Sequence, residues 1–154
     1  MIDLNELATF LNLANKSTYA DSSAPKANSL RPSSEDYHFE HGNLVYHDTY
    51  FGARDFLGEE VVYQSGVPVW GMNYYGHVLN ADIATDDAYA ILRPALMQDY
   101  DDIIPVRGPK EYTEGNSTYT NRAEGALDRF VGEEQIYLNG TLVYRGWYHG
   151  GLIA

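Results

Sequence analysis

Cysteine is absent from the chain, so disulfide cross-links, thiolate-ligated zinc and thiol catalysis are excluded. No stretch approaches the roughly 20 consecutive apolar residues that a membrane-spanning helix needs. Basic residues are scarce: 10 Lys and Arg stand against 22 Asp and Glu, a formal net charge of −12. That balance argues against nucleic acid and anionic membranes as direct partners, while leaving room for a protein partner. The first residues, Met1-Ile2-Asp3-Leu4-Asn5-Glu6, have neither a basic region nor an apolar core. A secretory signal is therefore not expected, and the expected setting is cytoplasmic. Phosphate-cradling glycine loops, GxSxG elbows and dinucleotide fingerprints are missing. His38, His41, His47, His77 and His149 fall into no metal-ligand spacing, so no metal and no cofactor is expected. Without a secretory signal, the sequons at Asn15, Asn116 and Asn139 read as chance matches.

What the chain does have is an internal echo. Phe56-Leu57-Gly58-Glu59-Glu60-Val61-Val62-Tyr63 returns 74 residues later as Phe130-Val131-Gly132-Glu133-Glu134-Gln135-Ile136-Tyr137. Tyr74 returns as Tyr148, and across 56–79 against 130–153 nine of 24 positions are identical. A self-match at fixed offset signals an internal structural repeat. The 154 residues then read as a single domain, 1–154, with half-repeats at about 1–80 and 81–154.

Residues 3–14 predict a helix: Asp3 and Glu6 have capping-box spacing, and Leu4, Leu7, Ala8, Leu11 and Ala14 form one stripe. Residues 16–36, rich in Ser, Ala, Pro and Asn, are long for a connection and read as a lid or a disordered segment. Alternating Tyr37, Phe39, Leu44 and Tyr46 flank a His41-Gly42-Asn43 turn. A bend at Gly52, strand 56–63, a Ser65-Gly66 turn and strand 67–75 follow. Residues 83–98 predict a second helix, with Thr85 as its N-cap and Pro94 bending it or ending its first segment. An acidic turn at 99–102 and an extended piece over 103–107 lead to the second set of strands. There Gly115-Asn116 and Asn139-Gly140 mark hairpins. The Gly42/Gly115 pair is offset by 73 rather than 74, so one residue is inserted before Phe130. The expected fold is α+β: a duplicated α-β-β-β unit forming one antiparallel sheet of six to eight strands, with two helices packed on one face.

Alternation puts Glu60 and Glu134 on one face of their strands and Glu59 and Glu133 on the other. A carboxylate on a covered face must be paired, hydrogen-bonded or raised in pKa. Three readings follow. Each glutamate pairs structurally with an arginine (Arg54, Arg129 or Arg145). Alternatively, Glu60 and Glu134, or Glu59 and Glu133, face one pocket, and Glu60 and Glu134 in the first place bind a ligand there with Tyr50, Arg54, Trp70, Asn73, Tyr74, Tyr148 and His149. Or the two carboxylates perform hydrolysis, helped by Tyr50, Arg54 or His149. The ligand-binding reading implies a small, cationic or polar molecule.

Asp48-Thr49-Tyr50-Phe51-Gly52, the Phe-x-Gly-Glu-Glu element at 56 and Pro68 through Gly76 resemble a bacterial domain family of unknown function. Arg107-Gly108-Pro109, Gly132-Glu133 and Val143 through Gly151 fit the same pattern, and Arg31-Pro32-Ser33-Ser34 looks like a further landmark. The resemblance runs from about Leu4 to Ile153. Such domains stand alone or behind a helix-turn-helix segment, which this chain lacks. The resemblance therefore implies at most effector sensing and transfers no catalytic residue. The architecture is also similar to GyrI-like effector-binding domains, which bind small, often cationic compounds. The leading expectation is thus an effector-like small-molecule-binding domain. The alternatives are a hydrolase with a paired-glutamate site and an acidic protein-binding inhibitor module.

Overall fold

The computed structural model describes residues 2–99, 104 and 106–154. The acidic turn expected at 99–102 and the extended piece expected from Ile103 fall largely outside these residues. Eight strands form one antiparallel sheet. They are β1 (Glu35–His41), β2 (Leu44–Gly52), β3 (Asp55–Gln64), β4 (Val67–Val78), β5 (Glu111–Glu114), β6 (Ser117–Ala126), β7 (Arg129–Leu138) and β8 (Thr141–Leu152). Their spatial order is β1-β2-β3-β4-β8-β7-β6-β5, so two four-stranded meanders join where β4 meets β8.

The hairpin chemistry explains why the chain turns where it does. Ser65 and Gly66 have φ of 51° and 83°, and Asn139 and Gly140 have 51° and 77°. Two successive positive φ values define the turn whose twist matches that of the flanking strands. The echo has a geometric counterpart. Phe56 pairs Gly76 and Phe130 pairs Gly150, and each hairpin carries a register irregularity at the same place, Val62/Tyr63 and Ile136/Tyr137. The extra residue of the second half lies in the β6–β7 turn. Gly125 pairs Phe130 where Gly52 pairs Phe56.

Helix α1 (Leu4–Ser17) starts at Asp3, whose carboxylate accepts the backbone N–H groups of Asn5 and Glu6 at 2.9 and 3.0 Å. Its buried face is Leu7, Phe10, Leu11 and Ala14. The expected spacing holds, but the stripe is rotated towards Phe10, leaving Leu4 exposed. Phe10 tips onto Phe39 of β1, with ring centroids 5.8 Å apart. Burying each of Leu7, Phe10 and Leu11 contributes about 1.5–3 kcal/mol, so these three side chains dock the helix.

The second helix is broken into α2 (Thr85–Tyr89) and α3 (Leu92–Leu96). In a continuous helix the Pro94 ring would strike the carbonyl of Ala90, and Pro94 has no N–H to offer it. Thr85 is the first helical residue rather than the cap. Ala84 takes the cap position without a side-chain bond. Residues Ile91, Leu92 and Ala95 pack on Tyr119, Ile136 and Tyr144, while α1 packs on Tyr46, Val62, Trp70, Met72 and Tyr148. All these strand residues point to one side of the sheet, so the helices share that face.

The glycine of each Phe-x-Gly-Glu-Glu element serves packing. Tyr74 lies across Gly58 and Tyr148 across Gly132, each pair directly opposite in register. A Cβ at Gly58 would fall 2.4 Å from the Tyr74 ring, and one at Gly132 would fall 2.1 Å from the Tyr148 ring. Tyr148 is fully buried and cannot move aside. Gly132→Ala is therefore expected to cost about 1–3 kcal/mol, as overpacking does. Urea unfolding checks this.

On the opposite face, the loop before β1 is tied down at Asp36. Its carboxylate accepts Ser34 Oγ and, at 2.6 Å, Thr49 Oγ1, and it contacts His47 Nε2 at 2.9 Å. Burial opposes its charge, but these bonds more than compensate and hold Asp36 down at about 2. The Arg31-Pro32-Ser33-Ser34 element is an ordered turn, with Ser33 at φ 64° and Arg31 paired to Glu59. Of the segment expected as a lid, Tyr19 and Ala20 reach the cavity described next. No helix among the described residues is long and apolar enough to cross a membrane.

Candidate functional site

The inward faces of β2 and β3 set two acidic side chains directly opposite each other. Asp48 pairs Glu60 in register, so their Cβ atoms stand about 4.5–5.5 Å apart. Both are buried, at 2% and 4% exposure. The Tyr74 hydroxyl donates to Asp48 Oδ1 at 2.7 Å, and the Tyr46 hydroxyl hydrogen-bonds the Glu60 carboxyl. Among the described residues, Glu60 Oε2 has no hydrogen-bond partner.

The pair forms the floor of a cavity of about 170 Å³. Its lining includes Tyr19, Tyr46, Tyr50, Phe56, Tyr74 and Tyr89 on the aromatic side, with Arg93, Leu96, Val106 and Arg107 completing the wall. Asn15 and Ala20 come from the end of α1 and the turn after it, and the exposed Gly52 and Ala53 form the rim. Arg93 is already engaged: it donates to the Tyr19 carbonyl at 2.6 Å and lies 4.4 Å from the Tyr19 ring centroid.

Burial sets the proton affinity of the pair. Desolvation pushes Asp48 up to about 7, against the Tyr74 hydrogen bond and Arg107, with Asp36 adding repulsion. Desolvation and then the Asp48 charge push Glu60 up to about 8, opposed by Arg107 and the Tyr46 hydrogen bond. Two carboxyls this close in a water-poor site do not both ionise readily. Burial of the pair therefore keeps a proton on it near neutral pH.

The second meander contains the corresponding constellation in a closed form. Asn121 pairs Glu134 as Asp48 pairs Glu60. Tyr119 stands where Tyr46 does and Tyr148 where Tyr74 does. Tyr148 donates to Asn121 Oδ1 at 2.6 Å. Here Arg107 fills the space, donating to both Glu134 oxygens at 3.1 and 2.7 Å, while Tyr119 and Tyr144 each donate at 2.8 Å. Burial disfavours the Arg107 charge, but the Glu134 carboxylate outweighs it and holds the guanidinium charged. Asn121 donates to the Gly108 carbonyl at 2.8 Å, and Gly108 N–H donates to Tyr119 Oη at 3.1 Å, which fixes the loop carrying Arg107. The same buried geometry is thus satisfied in one hairpin and left open in the other.

Of the residues expected in a site, Tyr50, Glu60 and Tyr74 line the cavity. Glu134 is on the same sheet face but is enclosed by Arg107, Tyr119 and Tyr144. Its arginine is Arg107, not Arg54, Arg129 or Arg145. Arg54 clamps the segment before α2, donating to the carbonyls of Ile83 and Asn80. Trp70 and Tyr148 are core residues, with the Trp70 indole donating to the Leu127 carbonyl at 3.0 Å. Asn73 and His149 are exposed and face each other across β4 and β8 on the opposite side of the sheet. That side also carries Glu59, paired to Arg31, and Glu133, 2.9 Å from Arg145. Asp48, Tyr46, Tyr89 and Arg107 were not anticipated as site residues. For Asp48 a signal existed, because counting back from the β2–β3 bend sets it opposite Glu60. No group of three or more His, Asp or Glu suited to a metal lies among the described residues.

The sheet and its cavity define a single-sheet α+β domain with a buried carboxyl pair under the helices that share one face. Residues 48–153 match DUF5680, a domain of unknown function, and the chain belongs to that family. No curated protein and no solved structure matches the chain.

Proposed function

We propose that the protein is a small-molecule-binding domain whose ligand sits in the cavity between α1, α2 and α3 and the first meander, held by Asp48 and Glu60. The observation that carries this reading is the contrast between the two hairpins. Glu134 is given four donor contacts, whereas Glu60 at the corresponding position keeps an oxygen with no partner. A buried oxygen without a partner costs about 1–3 kcal/mol, a cost that a ligand can relieve. Aromatic walls with a few convergent polar groups are the usual make-up of a small-molecule pocket. We read the binding role as effector-like, the role that the resemblance of the sequence-predicted architecture to GyrI-like domains implies.

A thermal-shift screen of small cationic, neutral and anionic metabolites tests the reading. A ligand at 100 times its Kd adds about 2.7 kcal/mol, or roughly 5–11 °C for a domain of this size. The shift is expected to vanish in Glu60→Gln and to persist in Glu133→Gln, whose side chain is on the other face. A shift indifferent to Glu60→Gln would place the ligand elsewhere. A second reading, hydrolysis, is favoured by one feature, the carboxyl pair that holds a proton near neutral pH. It requires turnover of a bound compound, lost in both Asp48→Asn and Glu60→Gln.

A further inference from the structure

The molecule itself contains an example of what this arrangement of side chains holds. In the second meander, the Tyr119–Asn121–Glu134–Tyr148 set receives a guanidinium, with two N–H groups of Arg107 reaching the two carboxylate oxygens. In the first meander, the Tyr46–Asp48–Glu60–Tyr74 set has the same register. It differs in two ways. Asn121 is replaced by an acid, Asp48, which adds negative charge. Trp70 stands where Tyr144 does, and its N–H goes to the Leu127 carbonyl, so the donor that serves Glu134 is missing at Glu60. The open set therefore asks for more positive charge and more donors than the closed one.

We propose that the cavity takes a compact cation bearing N–H donors (an amidinium, a guanidinium or a primary ammonium) on a body about the size of one aromatic ring, its N–H groups bridging Asp48 and Glu60. This rests on the small-molecule reading above and names the ligand class for the same site. The size follows from the volume: about 170 Å³, where an apolar cavity of about 150 Å³ accepts benzene. The need for N–H groups follows from Glu60 Oε2, which as a carboxylate oxygen accepts and does not donate. The aromatic lining, Tyr19, Tyr50, Phe56 and Tyr89, adds attraction for a cation through the ring faces.

The cation takes over the role of the proton on the pair, so binding releases a proton to solvent and tightens as pH rises. The charged and titratable groups facing the pair are Tyr46 of β2, Tyr74 of β4, Glu134 of β7 and Arg107 of the loop before β5, while Asp36 of β1 acts on Asp48 from the other face of the sheet. Tyr19, Tyr89 and Arg93 face it from the helical side. Neither arginine supplies the missing charge, because Arg107 is held by Glu134 and Arg93 by Tyr19.

Isothermal titration calorimetry of the full chain with benzamidine tests this, with benzamide as the neutral isostere and benzyltrimethylammonium as a cation without N–H. Benzamidine is expected to bind at least tenfold more tightly than either control and at least tenfold more tightly at pH 8.5 than at pH 5.5. Asp48→Asn and Glu60→Gln, shown folded by circular dichroism, are expected to lose at least tenfold and to flatten the pH profile. Calcium or magnesium chloride alone is expected to give no heat. Equal binding of benzamide overturns the cation requirement, and equal binding of benzyltrimethylammonium overturns the N–H requirement. Unaltered benzamidine binding in both variants overturns the assignment to this pair. If benzamidine fails while the metabolite screen yields a ligand lost in Glu60→Gln, the small-molecule reading stands and the N–H cation falls. If that screen also yields nothing, both fall.

Discussion

Arg107→Ala is expected to lower the thermal midpoint by about 6–20 °C. The guanidinium is 7% exposed and Glu134 is 3% exposed, so removal of the arginine leaves a buried carboxylate without its counter-charge. Breaking one side of a buried ion pair costs about 3–5 kcal/mol, and each kcal/mol is worth about 2–4 °C in a domain of this size. The hydroxyls of Tyr119 and Tyr144 remain as donors to Glu134, which keeps the loss within that range. The penalty resides in the stranded charge, so it is strongly non-additive. Glu134→Gln in the Arg107→Ala background should recover at least half of the loss, because glutamine removes the charge while its oxygen accepts from one tyrosine hydroxyl and its NH2 donates to the other. Calorimetric melts of the two single variants and the double variant form the cycle. Strict additivity would mean that the pair does not carry the energy assigned to it.

Glu60→Gln is expected to do the reverse, by an amount that grows as pH rises from about 5 to 8. The folded-state affinity of Glu60 for its proton is raised, to about 8 from 4.5, so between those values the folded state binds more protons than the unfolded one. Stability therefore falls as pH rises through this window, and wild type is weakest at its upper end. Each unit of displacement is worth about 1.4 kcal/mol. Allowing for relaxation of a coupled buried pair, glutamine should restore about 2–4 kcal/mol at pH 8.5 and almost nothing at pH 5. The midpoint difference between variant and wild type is then about 4–16 °C at the higher pH. Urea melts over pH 5–8.5 provide the check. A variant destabilised at every pH would show that the Glu60 carboxylate is already satisfied in the folded protein.

Much of this arrangement could be read from the chain before any coordinates. The turns were legible because Ser65-Gly66, Gly115-Asn116 and Asn139-Gly140 carry their own dihedral preferences. The insertion was legible because Gly42 and Gly115 lie 73 apart while Phe56 and Phe130 lie 74 apart. Strand parity also puts Glu60 and Glu134 on one face of their strands and Glu59 and Glu133 on the other. What parity cannot supply is the helical cover. Trp70 and Tyr148 share the inward face with Tyr74, yet α1 packs directly on them while a void remains over Tyr74. Arg107 was illegible for a different reason. It stands 27 residues from Glu134 in an irregular segment, and no periodic pattern ties a loop cation to a strand anion. Asp48 is legible only through register: the bend at Gly52 sets it opposite Glu60, whereas strand parity alone does not pair residues of different strands.

The pairing of Asp48 with Glu60 also gives the glutamate doublet a division of labour. Glu59 and Glu133 face outward and meet Arg31 and Arg145. Glu134 holds the loop before β5 through Arg107. Glu60 is the member of the set left with capacity for an incoming group.

The most direct test of this account is a carbon-13 NMR titration of the side-chain carboxyls of Asp48 and Glu60 in the free protein. The account predicts that the pair retains a proton at pH 7, with midpoints near 7 and 8, and that saturation with benzamidine drives both carboxyls to the ionised shift at that pH. Two midpoints in the ordinary range near 4, unchanged by the cation, would contradict it.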